Sequence, residues 1–314
     1  IGASGPSARG PRPTRVGRAG PLPAPTHPQY THSVGTSFLR GRCIATAIVA
    51  ATSVLVAACA RDTAPRAPTT LRVMTYNIHA GHGDLSGVAR TVCGEKPDVV
   101  GLQEVDVHWD ARSGFADQAT ELAEACGMEA RFGPIYTLPP VDSGGAPREY
   151  GVAILTRLPV VGWANHDITR LSTQAESAPA PAPGFLQVTV RVDGTEMDVY
   201  DTHLDFRPDP AVRATQVREM LAVIGRPVRP TLLLGDMNAP PERAELQPLF
   251  ERLRDAWGTS ADPGYTFPSD APARRIDYVL YGGPLRVDSA RVPAVETSDH
   301  RPVVAAFTLE SGAP

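Results

Sequence analysis

Lysine is almost missing: Lys96 is the single one in 314 residues, so nearly all fixed positive charge is arginine. The chain also lacks any acid before Asp62, any His-Glu-x-x-His helix and any cysteine pair at zinc spacing. Each gap excludes something. All six basic residues before Cys59 are arginines (Arg9, Arg12, Arg15, Arg18, Arg40, Arg42), so the rest carries 24 basic against 34 acidic residues, a balance of −10. A surface that acidic does not attract polyanions by default; any phosphate or nucleic-acid contact has to come from local arginines or a metal. The missing His and Cys patterns leave oxygen as the donor for such a metal.

Long apolar runs are also scarce. The stretch "LRGRCIATAIVAATSVLVAACA" has a basic start, an apolar middle and a small-residue end, the layout of an export signal. Its apolar part is shorter than the roughly twenty residues a membrane span needs. "VAAC" at Val56 to Cys59 resembles the lipobox of bacterial lipoproteins, which implies lipidation of Cys59, attachment to the membrane and a place on the extracellular face of the cell membrane; an ordinary alanine-rich signal is the alternative. Residues 1–36 are rich in Pro, Gly, Arg and Ala and almost free of aromatics, so they cannot form a core. The chain opens with isoleucine, and we expect translation to begin near Val34. The expected organisation is a disordered or wrongly assigned extension over 1–33, a lipoprotein-type signal over 34–59, a linker over 60–70 and one domain over 71–309. Cys93 and Cys126 each lie near the end of a predicted helix; a disulfide and two separate thiols are both open readings.

Strand patterns cover Leu71 to Ile78, Asp98 to Val105, Gly151 to Arg157, Phe185 to Val192, Met197 to Leu204, Thr231 to Leu234, Ile276 to Tyr281 and Val303 to Leu309. Helical spacing is clearest over Pro210 to Ile224, where Val217, Met220, Leu221 and Ile224 repeat at i, i+3, i+4 and i+7. A second helix is predicted after Glu242, and "SAPAPAPG" reads as a loop. Polar residues gather where strands end: Asn77, Glu104, His203, Asp236 and Asn238. In layered α/β folds such ends meet at one rim, where ligands bind. Asn77, Glu104, Asp236 and Asn238, with Asp299, offer hard oxygen donors suited to Mg²⁺ or Mn²⁺. A metal there would polarise a phosphoester.

Seven stretches, "MTYNIHAG", "DVVGLQEVD", "YGVAILTRLPV", "YDTHLDF", "LLLGDMNAP", "RRIDYVLY" and "TSDHRPV", together resemble the endonuclease/exonuclease/phosphatase superfamily, which includes DNase I, over nearly all of residues 71–309. The resemblance implies a four-layer α/β sandwich of two mixed, mainly antiparallel sheets flanked by helices. It implies that Glu104 is the principal metal ligand, with Asn77 and Asp299 completing or adjusting its shell. Asp236 is then the base for the attacking water, helped by Asn238, while Asp277 orients His300. His203 matches a second histidine of the DNase I and sphingomyelinase branches, and either histidine can be the acid. Tyr150, Arg148 and Asn238 are candidate substrate contacts, Tyr150 being equally readable as a rim aromatic. Arg213 and Gln216 fit a recurring pair after the histidine strand and are equally readable as helix caps. One departure is plain: an arginine-glycine pair found before the strand at 185–192 in many bacterial relatives is replaced by "SAPAPAPGF", so that role is vacant or has passed to Arg148, Arg207 or Arg274. The expected function is Mg²⁺-dependent hydrolysis of a phospholipid head group or small phosphoester by a monomer, with a DNase-like nuclease and a catalytically silent binding lipoprotein as alternatives.

Overall fold

The computed structural model describes residues 69–310, save 82, 175 and 259. The expected extension, signal, Cys59 and most of the linker lie outside the described residues.

Among the described residues, twelve strands form two six-stranded sheets. In chain order the elements are β1 (Thr70–Asn77), α1 (Leu85–Glu95), β2 (Val99–Val107), α2 (Gln118–Cys126), β3 (Glu129–Leu138), β4 (Arg148–Thr156), β5 (Val160–Arg170), β6 (Ala180–Val192), β7 (Thr195–His203), α3 (Ala211–Ile224), β8 (Thr231–Asp236), α4 (Gln247–Arg252), β9 (Arg254–Asp255), β10 (Asp277–Gly282), β11 (Leu285–Arg291) and β12 (Val303–Leu309). The first sheet runs β11-β12-β1-β2-β4-β3 and the second β5-β6-β7-β8-β10-β9. The pairs β1·β2 and β7·β8 are parallel and sit inside their sheets, so the sheets are mixed but mainly antiparallel.

Three apolar clusters define four layers. Val73, Val99, Ile154, Val188, Leu232, Leu234, Val279 and Phe307 pack in one cluster between the sheets. Met74, Val100 and Leu102 face α1 and α2 through Val88, Val92 and Leu122, while Tyr200, Leu233 and Leu280 face α3 and α4 through Val217, Met220 and Leu249. The three leucines of "LLLGD" are therefore divided: Leu232 and Leu234 point inward and Leu233 outward, as a period of two requires. Among the described residues no helix is long and apolar enough to cross a membrane.

The sequence reading omits β3, β5, β9 and β11 and treats Ser177 to Gly184 as a loop, whereas Ala180–Gly184 opens β6. Pro181 and Pro183 are tolerated because this part pairs only with β5, before the ladder to β7 starts at Phe185. Pairing irregularities in β3, β5 and β11 break the alternation that would have marked them. Cys93 and Cys126 form a disulfide, with Cα atoms 5.1 Å apart, tying α1 to α2. Closing a loop of 33 residues stabilises a fold by about 3–4 kcal/mol in the chain-entropy view.

Candidate active site

Inward-facing positions turn from apolar to polar as the strands reach one rim. On β1, Val73 is followed at the same face by Thr75 and Asn77; on β8, Leu232 and Leu234 by Asp236; on β10, Tyr281 and Val279 lead back to Asp277. Register then sets a row, because His203 and Asp277 are the partners of Asp236 on its two sides. Gly235 lets the row close: a Cβ there would meet the Thr202 carbonyl oxygen at 2.3 Å.

Glu104 arrives differently. The β2·β4 register slips between Leu102 and Val105, and Glu104 takes a left-handed φ of 56°. This bulge inserts a residue and re-aims it, at the cost of backbone strain of a kind that concentrates at functional sites. Asn77 joins the two carboxylates: its Nδ2 donates to Glu104 Oε1 at 3.0 Å and to Asp236 Oδ2 at 3.1 Å, while its Oδ1 accepts from the His79 backbone at 3.0 Å. Asn77 thus turns its NH2 edge, not its oxygen, to the carboxylates, so of the two roles expected for it the geometry favours adjusting the ligands.

Asp236 is 1% exposed, and its Oδ2 lies 3.7 Å from His300 Nε2 and 3.5 Å from His203 Nε2. His300 Nδ1 meets Asp277 Oδ2 at 2.9 Å. Burial opposes charge on His300, but Asp277, Asp236 and Asp299 together prevail and raise it to about 10. Burial likewise pushes Asp277 above the ordinary carboxylate range against the pull of His300; of this pair the imidazole holds the proton, because three carboxylates surround it.

Asn238 Nδ2 donates to the Leu204 carbonyl at 3.0 Å and meets His203 Nε2 at 2.9 Å. The carbonyl fixes the NH2 edge, so His203 Nε2 accepts and its proton sits on Nδ1. Asn238 also has a left-handed φ of 52°.

A cavity of 340 Å³ opens on this network, lined by Glu104, His203, Asp236, Asn238, Asp299 and His300 together with Tyr136, Tyr150, Arg170, Phe206, Arg207 and Phe267. Burial keeps the Tyr150 hydroxyl well above its usual range, so it remains a donor. Arg148 is not brought in: its Nε donates to the Pro139 carbonyl and it borders a separate hollow with His108 and Phe115. Arg274 stacks on the Phe267 ring at 4.7 Å, outside the cavity lining. Arg213 and Gln216 do not cap α3; they hold the loop after β7, Gln216 Oε1 accepting from the Asp205 backbone and Arg213 donating to the Asp205 and Arg207 carbonyls.

Arg170 was missed by sequence reasoning. It is buried and donates to the carbonyls of Pro183, Gly184 and His203 at 2.8, 2.8 and 3.0 Å. A guanidinium therefore stands beside Gly184 after all, supplied from β5; without β5 in view it had no context. Phe267, whose ring centre is 4.8 Å from that of His300, carried no sequence signal either.

The carboxylates of Glu104, Asp236 and Asp299 line one cavity, and among the described residues none of the three has an arginine or lysine partner. This surplus of oxygen donors fits a hard dication. Asp236, Asp277 and His300 also cluster within 4.8 Å and could hold an ion, but doing so would displace the His300–Asp277 hydrogen bond, so the Glu104 side is the better fit.

The described residues match known proteins over most of their length. The model of the Endonuclease/Exonuclease/phosphatase family matches residues 74–300. An endonuclease/exonuclease/phosphatase from Beutenbergia cavernae has a similar structure, with a TM-score of 0.64 and 26% identity over 77% of this chain and 72% of that one. A mannosyl-6-phosphatase from Bacteroides thetaiotaomicron shares the fold at 16% identity, with a TM-score of 0.57 over 76% of this chain and 99% of that one. Among curated proteins, a UPF0294 protein from Vibrio vulnificus is 29% identical over 155 residues, 48% of this chain and 53% of the relative, so the match spans about half that relative's length.

Proposed function

Because the chain belongs to the endonuclease/exonuclease/phosphatase family, whose members are hydrolases of phosphoester bonds that generally depend on a divalent metal, we propose that it is an Mg²⁺-dependent phosphoesterase acting on a small phosphoester or phospholipid head group. The observation that carries this reading is the shared network: Asp236 lies 3.7 Å from the His300 Nε2 and shares the Asn77 amide with Glu104.

Glu104 and Asp299 would hold the ion, with Asp236 beside them. When bound, it polarises a phosphoryl oxygen and offsets charge on the leaving oxygen. Asp236 accepts a proton from water as the water oxygen bonds phosphorus. His300, charged and steered by Asp277, donates its Nε2 proton as the bond to the leaving oxygen breaks. His203, with Nε2 accepting from Asn238, is suited to orienting water or substrate and not to donating through that atom. Tyr150 offers a hydroxyl donor toward the cavity.

Substrate size follows from charge. Of the cavity's two arginines, Arg170 is committed to carbonyls and Arg207 to Asp205, Leu171 and Ser172. Duplex DNA is bound through several free cations, so the nuclease reading is the weaker. Export and a lipid anchor on Cys59 complete the proposal, supported by the "VAAC" stretch and by the Cys93–Cys126 disulfide, a bond that persists in oxidising compartments.

A panel of sphingomyelin, phosphatidylinositol, plasmid DNA and bis-p-nitrophenyl phosphate, assayed with Mg²⁺ and with EDTA, tests the reading. Turnover of a lipid or small ester that EDTA abolishes is expected. Turnover of DNA alone would transfer the chain to the nuclease reading, and activity indifferent to EDTA would remove the metal.

A further inference from the structure

Gln103 of β2 and Asp201 of β7 meet between the two sheets, immediately behind the rim. Gln103 Nε2 donates to Asp201 Oδ1 at 2.6 Å and to Thr75 Oγ1 at 3.1 Å, and all three side chains are fully buried. Gly101 makes room, since a Cβ there would lie 2.8 Å from Asp201 Oδ1. The other neighbours are Leu102 and Leu234, and among the described residues no charged side chain contacts the carboxyl group. Among the described residues three buried side-chain atoms have no hydrogen-bond partner: Gln103 Oε1 and Asp201 Oδ2 at this contact, and Thr202 Oγ1 on the opposite face of β7.

An ionised Asp201 explains this arrangement badly. Its Oδ2 and the amide Oε1 are then both acceptors and cannot bond one another, leaving a buried charge without a cation, one of the most costly arrangements in a protein interior. A proton on Oδ2 makes that atom a donor. We infer that Asp201 is held as a neutral carboxylic acid, its Oδ2–H donating to Gln103 Oε1 while Gln103 Nε2 donates to Oδ1, in a closed acid–amide pair that positions the two halves of the site. Two of the three partnerless atoms are satisfied by one proton. Burial favours the same form, pushing Asp201 well above the ordinary carboxylate range against the hydrogen bond from Gln103.

The pair lies one residue before Glu104 on one sheet and two before His203 on the other. It therefore sets the spacing between the Glu104 side and the His203–Asp236 side. Asp201 does not line the cavity; it is a positioning residue, and its importance to turnover rests on the phosphoesterase reading.

Infrared difference spectroscopy of the whole protein against Asp201→Asn at pH 7 tests the proton without needing turnover. A carboxylic-acid carbonyl band present in the wild type and lost in the variant is expected; absence of that band overturns the proposal. Sign matters for stability too. A carboxyl whose folded value is raised contributes stability that is complete below its unfolded value and is lost as pH rises toward the folded value. Asp201→Asn, whose amide can make the same pair, should remove that decline and keep wild-type kcat, whereas Asp201→Ala should lose turnover at least tenfold. Equal losses in Asn and Ala variants contradict a positioning pair. Should Asp201→Ala fail to fold, the band and the Asp201→Asn stability profile still decide, and both are independent of whether any phosphoester is hydrolysed.

Discussion

Asp277 governs the charge on His300, and through it the pH range in which the site can give a proton. With three carboxylates holding His300 at about 10 against its burial, the imidazolium persists through neutral pH. The stability it contributes is complete below the ordinary histidine value of about 6.5 and declines as pH rises toward about 10. Asp277→Asn removes the nearest of those charges, at 2.9 Å. The alkaline limb of kcat/KM should then move to lower pH and kcat should fall by about 10²–10⁴, the usual scale of general acid catalysis. A pH–rate profile of wild type and variant checks this; an unmoved alkaline limb would show that His300 is not the acid. Residues at this scale were legible when they bounded a recognisable strand: Asn77, His203 and Asp236 close theirs and Asp277 opens one. Arg170 and Phe267 were not, because one ends a strand whose alternation is broken and the other sits in a loop without periodicity.

Strands fix the site by alternation and by how closely they approach. Asp236 faces inward because Leu232 and Leu234 do, four and two residues earlier. Gly235, just before it, admits the Thr202 carbonyl, so Gly235→Ala should force β7 and β8 apart, costing at least the roughly 1–3 kcal/mol of ordinary overpacking and reducing activity beyond the loss of stability. Denaturant titration alongside kinetics measures both; a variant as stable and as active as wild type would show the contact to be unimportant. The same alternation made eight strands readable from the sequence. It failed for β3, β5 and β11, where register shifts interrupt the period, and it could not foresee that a bulge would aim Glu104. Nor could spacing alone decide whether Cys93 and Cys126 meet, since that depends on how α1 and α2 pack on the same sheet.

For the whole molecule, two sheets with matching parallel cores bring four strand ends to one rim, and the four layers follow from three separate apolar clusters. The family pattern made this architecture legible because its seven stretches are the rim-bearing strands and their adjoining loops. The chain's acidic balance and single lysine argue for a substrate small enough to be held inside the cavity. The proposed lipid anchor belongs to this scale as well. Cys59→Ser in the full chain should abolish incorporation of labelled fatty acid and release the protein from membranes; continued labelling would place the lipid elsewhere or end the lipoprotein proposal.

The central claim is that Asp236 activates water within a network that includes Glu104 and His300. Its most direct measurement is kcat/KM for Mg²⁺-dependent hydrolysis of bis-p-nitrophenyl phosphate by wild type and by Asp236→Asn, with folding of the variant verified by its thermal transition. The amide keeps the shape but cannot take the proton, so a loss of about 10²–10⁴ is predicted; a folded variant with wild-type kcat/KM would contradict the account.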